Sequence, residues 1–263
     1  MTVPVPFGQY VPGSSAVHRL DPRVKLAMAI AYVTMLFGAS GWTGLAIAGV
    51  AGLGAVAISG VPLRLVARGL KPVSALLLFT LLANSLRLDS PDALINVGRL
   101  AVDAEGLQAG SYFVVRIVAL VLGTSLLTLT TSPVALTDAL TRIMAPLRVV
   151  RVPTEDIAMM FSIALRFIPT TAEEAEKIVV AQTARGAVFD AGGPIRRARA
   201  WIPVLVPLFV NLFRRADDLA LAMESRCYTG SGRTRLHALT MRQTDWVVLV
   251  AGVTLAGLAV ILL

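Results

Sequence analysis

Thirty-eight residues, from Leu26 to Leu63, pass without one charged side chain. A helix needs about 20 apolar residues to cross the ~30 Å hydrocarbon core of a bilayer. The run is too long for one such helix and long enough for two. Gly38-Ala-Ser-Gly-Trp-Thr-Gly44 lies at its middle and reads as the turn, with Trp42 at the interface. In the second arm Gly44, Ala48 and Gly52 fall four residues apart, a stripe that suits the close approach of a neighbouring helix and equally ordinary membrane packing. Composition agrees with a membrane hairpin. The chain is 56% apolar and 15% charged over 263 residues, with a mean hydropathy of +0.75. A soluble domain carries about 25% charged residues.

The flanks set the topology. His18-Arg-Leu-Asp-Pro-Arg-Val-Lys25 precedes the hairpin, with Asp21 as an N-cap and Pro22 at the first helical position. Arg19, Arg23 and Lys25 favour a cytoplasmic start, and Arg64, Arg68 and Lys71 favour a cytoplasmic return. A third span is expected over Pro72–Leu86, with Asn84 near its end either an interfacial polar residue or a hydrogen-bond partner for a neighbouring helix. Residues 89–110 hold Asp89, Asp92, Asp103 and Glu105 against Arg99 and read as an acidic outer loop. A fourth span follows from about Tyr112 to Thr131, in which Arg116 snorkels outward. Residues 132–245 change character, holding 15 of the 24 basic and 11 of the 16 acidic residues. Parity places them in the cytoplasm, before a last span over Trp246–Leu263. The expected fold class is all-α: a polytopic helical membrane protein of about five spans. Its divisions are an arm with four spans (1–131), a cytoplasmic helical domain (132–245) and a fifth span (246–263). Residues 200–213 are apolar but short and contain Pro203 and Pro207, so a core-facing or re-entrant helix is favoured over a span.

Much chemistry is missing. The net charge of +8 comes from residues flanking apolar runs, with no aromatic-interleaved basic patch, so no nucleic-acid partner is expected. Pro4, Pro6 and Pro12 precede any apolar run, which argues against a cleavable signal peptide. The single cysteine excludes an internal disulfide, and with only His18 and His237 beside it no zinc site of usual composition can be built. None of the three lysines follows a glycine, so there is no Walker A phosphate loop, and no Gly-x-Ser-x-Gly elbow occurs. The spans lack the paired carboxylates or histidines of an ion-driven carrier. The chain is therefore expected not to be an enzyme and to need no cofactor or metal.

What remains is a repeated helix end. Ala172-Glu-Glu-Ala-Glu-Lys-Ile-Val-Val-Ala-Gln-Thr-Ala-Arg-Gly186 places acids at a helix start, Arg185 in the last turn and Gly186 at the left-handed cap. A looser copy, Arg214 to Cys227, follows further along the chain; one constant offset superposes Arg226 on Arg185 and Asp217 on Glu176. Small neighbours, Ala184 and Gly186 or Ser225 and Cys227, let the backbone press against another protein while the guanidinium enters a carboxylate- or carbonyl-lined pocket. Two such ends suit two like pockets on a pair of similar subunits. The same pattern also describes solvated helix C-termini with a dipole-stabilising arginine, and spacing alone leaves both open. Glu176 and Asp217 are candidates to pair across the two helices or with Arg214 and Arg215; solvated helix faces are the alternative.

In order and spacing, three stretches resemble the transmembrane T component of energy-coupling factor transporters, the vitamin and transition-metal importers of prokaryotes. They are Tyr10-Val-Pro-Gly-Ser-Ser-Ala-Val-His-Arg-Leu-Asp-Pro-Arg-Val-Lys25, Leu165-Arg-Phe-Ile-Pro-Thr-Thr-Ala-Glu-Glu-Ala-Glu176 and Ala184-Arg185-Gly186. The resemblance implies a scaffold in the prokaryotic cell membrane that joins two cytoplasmic ABC ATPases to a substrate-capturing S component. It implies ATP hydrolysis in the partners and ATPase contacts at Ala184, Arg185, Gly186, Ser225, Arg226 and Cys227. Ser225-Arg226-Cys227 departs from the Ala-Arg-Gly pattern, and Cys227 is expected to cap less well than glycine. A conventional ABC importer permease is the alternative; it would usually offer one coupling helix per subunit, whereas this chain has two motifs.

Overall fold

The computed structural model describes residues 10–38, 41–88, 93–97, 100–150, 152–230 and 241–262. Its helices in chain order are α1 (Ala16–Arg19), α2 (Pro22–Gly38), α3 (Gly41–Ser59), α4 (Leu63–Leu70), α5 (Ser74–Ser85), α6 (Ala104–Thr130), α7 (Pro133–Ile143), α8 (Thr154–Ala184), α9 (Pro194–Ala200), α10 (Ile202–Glu224) and α11 (Gln243–Leu262). Between α5 and α6 run three short strands, β1 (Leu86–Leu88), β2 (Ala93–Val97) and β3 (Leu100–Asp103). The chain divides into two compact units, one within residues 8–136 and 239–263, the other within 137–238.

The first unit is the polytopic membrane body. Among the described residues, four helical stretches are long and apolar enough to cross a membrane: Gly41–Ser59, Leu63–Ser85, Ala104–Thr130 and Gln243–Ile261. No more than 28% of the apolar stretch of any of them is buried inside the protein, so most of their surface requires an apolar solvent. The fifth apolar helix, α2, has 17 residues, at the short end of the range that spans. α2 and α3 form the expected hairpin. The third stretch starts earlier than the sequence suggests: α4 runs through a 3₁₀ turn at Lys71–Val73 into α5, because the basic residues of α4 do not break a helix. α6 likewise begins at Ala104 rather than near Tyr112.

Small residues set the packing. Met35, Leu36, Leu45, Ala48, Ala119, Ala256 and Ala259 form one buried cluster where α2, α3, α6 and α11 meet. The Gly44, Ala48 and Gly52 stripe is buried. Tyr32 is seated between Gly52 and Gly123, and its hydroxyl donates to the Ala119 carbonyl at 3.0 Å. A β-carbon on Gly52 would lie 2.6 Å from the Tyr32 oxygen. α5 lies on a second small-residue pair, Gly106 and Gly110. A β-carbon on Gly110 would meet the Leu81 carbonyl at 3.2 Å, and one on Gly106 would strike the Asn84 carbonyl. This Gly-xxx-Gly spacing is the signature of close helix approach and is readable from sequence. The Asn84 side chain bonds the Thr80 carbonyl of its own helix at 2.8 Å, so of the two readings open in the sequence the bond to a neighbouring helix is not the one made. A side-chain amide four residues past a carbonyl reaches it without leaving the helix.

Helix ends in this unit are tied together. The Asp21 carboxylate accepts from the Arg23 amide at 2.9 Å, as an N-cap should. Asp245 accepts from the Arg242 amide at 2.8 Å and from the Asp21 amide at 3.2 Å, so one carboxylate joins the starts of α11 and α2. Lys25 is 8% exposed. Its ammonium donates to the carbonyls of Thr130 at 2.9 Å and His18 at 3.1 Å. The Val11 amide donates to Leu129 at 2.9 Å. The arm thus satisfies carbonyls that the end of α6 leaves unpaired. In the sequence Lys25 reads as a positive flank; in the fold it is a buried clamp as well.

The connector expected as an acidic loop carries an antiparallel sheet of order β1-β3-β2, with Leu86 opposite Val102 and Val97 opposite Leu100. Its alternation of aliphatic runs with Ser-Pro-Asp and Gly-Arg breaks is a strand signal that the acids obscured. Asp89, Asp92 and Arg99 lie outside the described residues, as does His237. Arg116 sits well inside α6, which starts at Ala104, rather than one turn from its start. Its guanidinium donates to the Tyr112 hydroxyl at 2.6 Å and lies 5.8 Å from the Phe37 ring centroid, so it is held by aromatics.

Candidate functional site

The second unit is built on α8 and α10, of 31 and 23 residues. α10 runs unbroken from Ile202 through the stretch whose length left its role open. Pro203 falls in its first turn, where its missing N–H is harmless, and Pro207 lies just beyond. The two helices are antiparallel. The Glu174 carboxylate accepts from Asn211 at 2.7 Å and from Arg215 at 3.2 Å, while two turns further along α8, Gln182 reaches the carbonyl of Pro203, two turns back along α10. Arg215 also lies 5.7 Å from the Phe167 ring centroid. The cross-helix pairing therefore falls on Glu174. Glu176 and Asp217, the acids singled out by their spacing from the arginines, are both exposed. They sit two residues along from Glu174 and Arg215, and two residues turn a helical side chain by about 200° away from the contact.

Each helix ends in the same turn. After α8 the Gly186 amide donates to Thr183 at 2.9 Å and the Ala187 amide to Gln182 at 3.0 Å. After α10 the Cys227 amide donates to Glu224 at 2.9 Å and the Tyr228 amide to Met223 at 3.0 Å. These bonds superpose under the offset that relates Arg185 to Arg226 and define a Schellman cap in both places. Gly186 takes a φ of 86° and Cys227 a φ of 56°. The expectation that Cys227 caps less well than glycine holds in cost but not in geometry. It adopts the left-handed conformation and closes the turn, at a backbone cost of about 1–2 kcal/mol that glycine avoids.

Ala184, Arg185, Gly186, Ser225, Arg226 and Cys227 are all exposed. The antiparallel register sets the two arginines at opposite ends of the helix pair. Arg185 lies toward the start of α10. Past Arg226, a β-carbon on Gly230 would lie 3.7 Å from Asp156 in the first turn of α8. Glu174 and Arg215 are separated in sequence by the same interval as the two arginines. The ion pair therefore joins equivalent positions of the repeat, and each arginine lies the same length of chain beyond it. Repeat and register together give the pair a local two-fold relation. Sequence reasoning finds the arginines but not this contact, though the same offset links Glu174 to Arg215. The flanks of the pair remain apolar and open: Phe161, Val206, Phe209 and Phe213 are all more than half exposed.

Comparison with known proteins accords with this geometry. Residues 13–237 match the family model described as Cobalt transport protein, CbiQ. The energy-coupling factor transporter transmembrane protein EcfT of Thermosediminibacter oceani is 46% identical over 248 residues, covering 94% of this chain and 93% of that protein. Its counterpart in Bacillus subtilis is 42% identical over 253 residues, with 96% of each chain covered. The chain belongs to this family. It is a transmembrane component of energy-coupling factor transporters. The described residues contain no group of His, Cys, Asp or Glu placed to hold a metal.

Proposed function

We propose that this chain is the energy-coupling scaffold of a vitamin or transition-metal importer, passing the motion of two ABC ATPases to a substrate-capturing S component. The observation that carries the reading is the pair of superposable, exposed, arginine-bearing turns at opposite ends of one antiparallel helix pair. Two like ends related by a local two-fold fit two like pockets on a pair of similar subunits. Arg185 and Arg226 each enter one ATPase groove, where a guanidinium pairs bidentately with carboxylates or carbonyls. Ala184, Gly186, Ser225 and Cys227 keep the approach close. The open apolar flanks of α8 and α10 receive the S component. Hydrolysis takes place in the ATPases; this chain supplies contacts that differ between the two states, without which no energy is transmitted. The N-terminus and the 132–245 domain face the cytoplasm, where ATP is available.

Co-expression with both ATPases and purification through a tag on this chain tests the anchors. Arg185→Glu and Arg226→Glu are each expected to lower ATPase recovery by tenfold or more and to stop uptake. Full recovery and uptake in both variants would sink the assignment. Two ATPase chains per copy are expected in the intact complex; one per copy would favour a conventional permease arrangement.

A further inference from the structure

The membrane body contains a cavity of about 700 Å³ that the coupling function does not use. Its walls come from α1, α2, α3, α6 and α11 and are mostly apolar, including Met28, Met35, Ile58, Leu127, Val248 and Leu255. Small residues on the same helices, Ala51, Gly52 and Gly123 among them, leave the space open. One end is cationic. Among the described residues, Arg19, Lys25 and Arg242 line it with one lining carboxylate, Asp245, whose two oxygens already accept backbone amides; Asp21 stands behind Lys25 and leaves the end net positive. Arg19 and Arg242 are exposed. Lys25 uses two of its three donors on carbonyls, leaving one for the cavity.

The depth matches one leaflet. The cavity runs from Lys25 to Met35 along α2 and from Asp245 to Ala256 along α11. Each stretch is roughly 15 Å of helix, half of a ~30 Å hydrocarbon core. The cavity therefore joins a cationic mouth to an apolar shaft of acyl-chain length, at a volume typical of small-molecule sites. A free anion would leave the shaft empty, and a neutral hydrocarbon would leave the net positive mouth unanswered. We infer that this cavity is a binding site for an anionic phospholipid from the leaflet on the side of the α2 and α11 starts. The phosphate sits among Arg19, Lys25 and Arg242, and one acyl chain lies along Met28, Leu127 and Val248.

Native mass spectrometry of the full chain, released from micelles doped equally with phosphatidylglycerol and phosphatidylcholine, tests this. One phosphatidylglycerol is expected to stay bound at roughly tenfold higher occupancy than phosphatidylcholine. Arg19→Gln with Arg242→Gln removes two exposed cations and should erase most of that preference. Ala55→Phe, which fills the shaft, should reduce retention of both lipids while the mouth stays intact. Monodisperse elution and an unchanged helical signal serve as the folding check, and the double glutamine variant keeps the test decisive should Ala55→Phe not fold. Equal retention of the two lipids, or a preference unchanged in the double variant, overturns the proposal. So does retention of glycerol 3-phosphate at the occupancy of the full lipid, which would make the site one for a small anion.

Discussion

Cys227 holds a φ of 56° in the position where Gly186 holds 86°. Left-handed backbone is nearly free for glycine and costs other residues about 1–2 kcal/mol, so the second turn is strained where the first is not. Cys227→Gly is expected to raise the unfolding free energy by about 1 kcal/mol, read as an upward shift in the thermal midpoint of the detergent-solubilised chain. Cys227→Val should shift it downward, since β-branching makes the left-handed region harder still. A midpoint unmoved by both would mean that the turn relaxes around its side chain. The same strain supports an order between the two proposed anchors: Arg185, in a turn with no backbone cost, is expected to tolerate mutation less well than Arg226. ATPase recovery with Arg185→Ala and Arg226→Ala checks it, and greater damage from the latter would reverse the order. Asp21 was legible as a cap because capping is local. The Cys227 turn was not, because propensity speaks against cysteine there and only the superposed hydrogen bonds speak for it.

Helices in this protein meet through small residues and a few polar contacts, and both are open to double-mutant tests. Gly123→Ala drives a methyl group against the Cδ1 and Cε1 side of the Tyr32 ring and is expected to cost about 1–3 kcal/mol. Tyr32→Leu in the same chain should recover part of that loss, giving a coupling that separated sites do not show. Thermal midpoints of the four chains in the cycle decide it. On the other unit, Glu174→Gln and Arg215→Gln should couple by about 0.2–1 kcal/mol, modest because both side chains are partly exposed. Strict additivity would show the ion pair to be incidental. The small-residue stripe of α3 and the Gly106/Gly110 pair were both present as four-residue spacings. The partners were not, since spacing names the face of a helix but not what lies on it. The strands between α5 and α6 went unread for a related reason: the acids pointed to solvent, which an edge hairpin satisfies as readily as a loop.

At the scale of the whole molecule, hydropathy alone was enough for a polytopic helical protein, and the family followed from motifs spread over most of the chain. The polar architecture inside the membrane body was hidden, because a lysine next to an apolar run reads the same whether it faces lipid headgroups or plugs a helix end. Lys25→Met separates the two. A mere topological flank would leave stability unchanged, whereas the clamp leaves two carbonyls unpaired at about 1–3 kcal/mol each when removed. A midpoint equal to that of the unaltered chain would return Lys25 to the role of a flank.

The contact between Glu174 and Arg215 divides the α8–α10 pair into two equal levers. Each arginine stands about three turns of helix from it, roughly 16 Å. Two equal arms turn about their crossing when the tips are driven in opposite senses, as a two-fold relation requires, whereas a push on one tip alone also displaces the crossing. If the tips carry two identical motors, symmetric firing would rotate the helices without displacing their crossing, and a single motor would drag the crossing sideways. Lengthening one arm by a full turn, without touching either arginine, would then unbalance the device while leaving both of its handles in place.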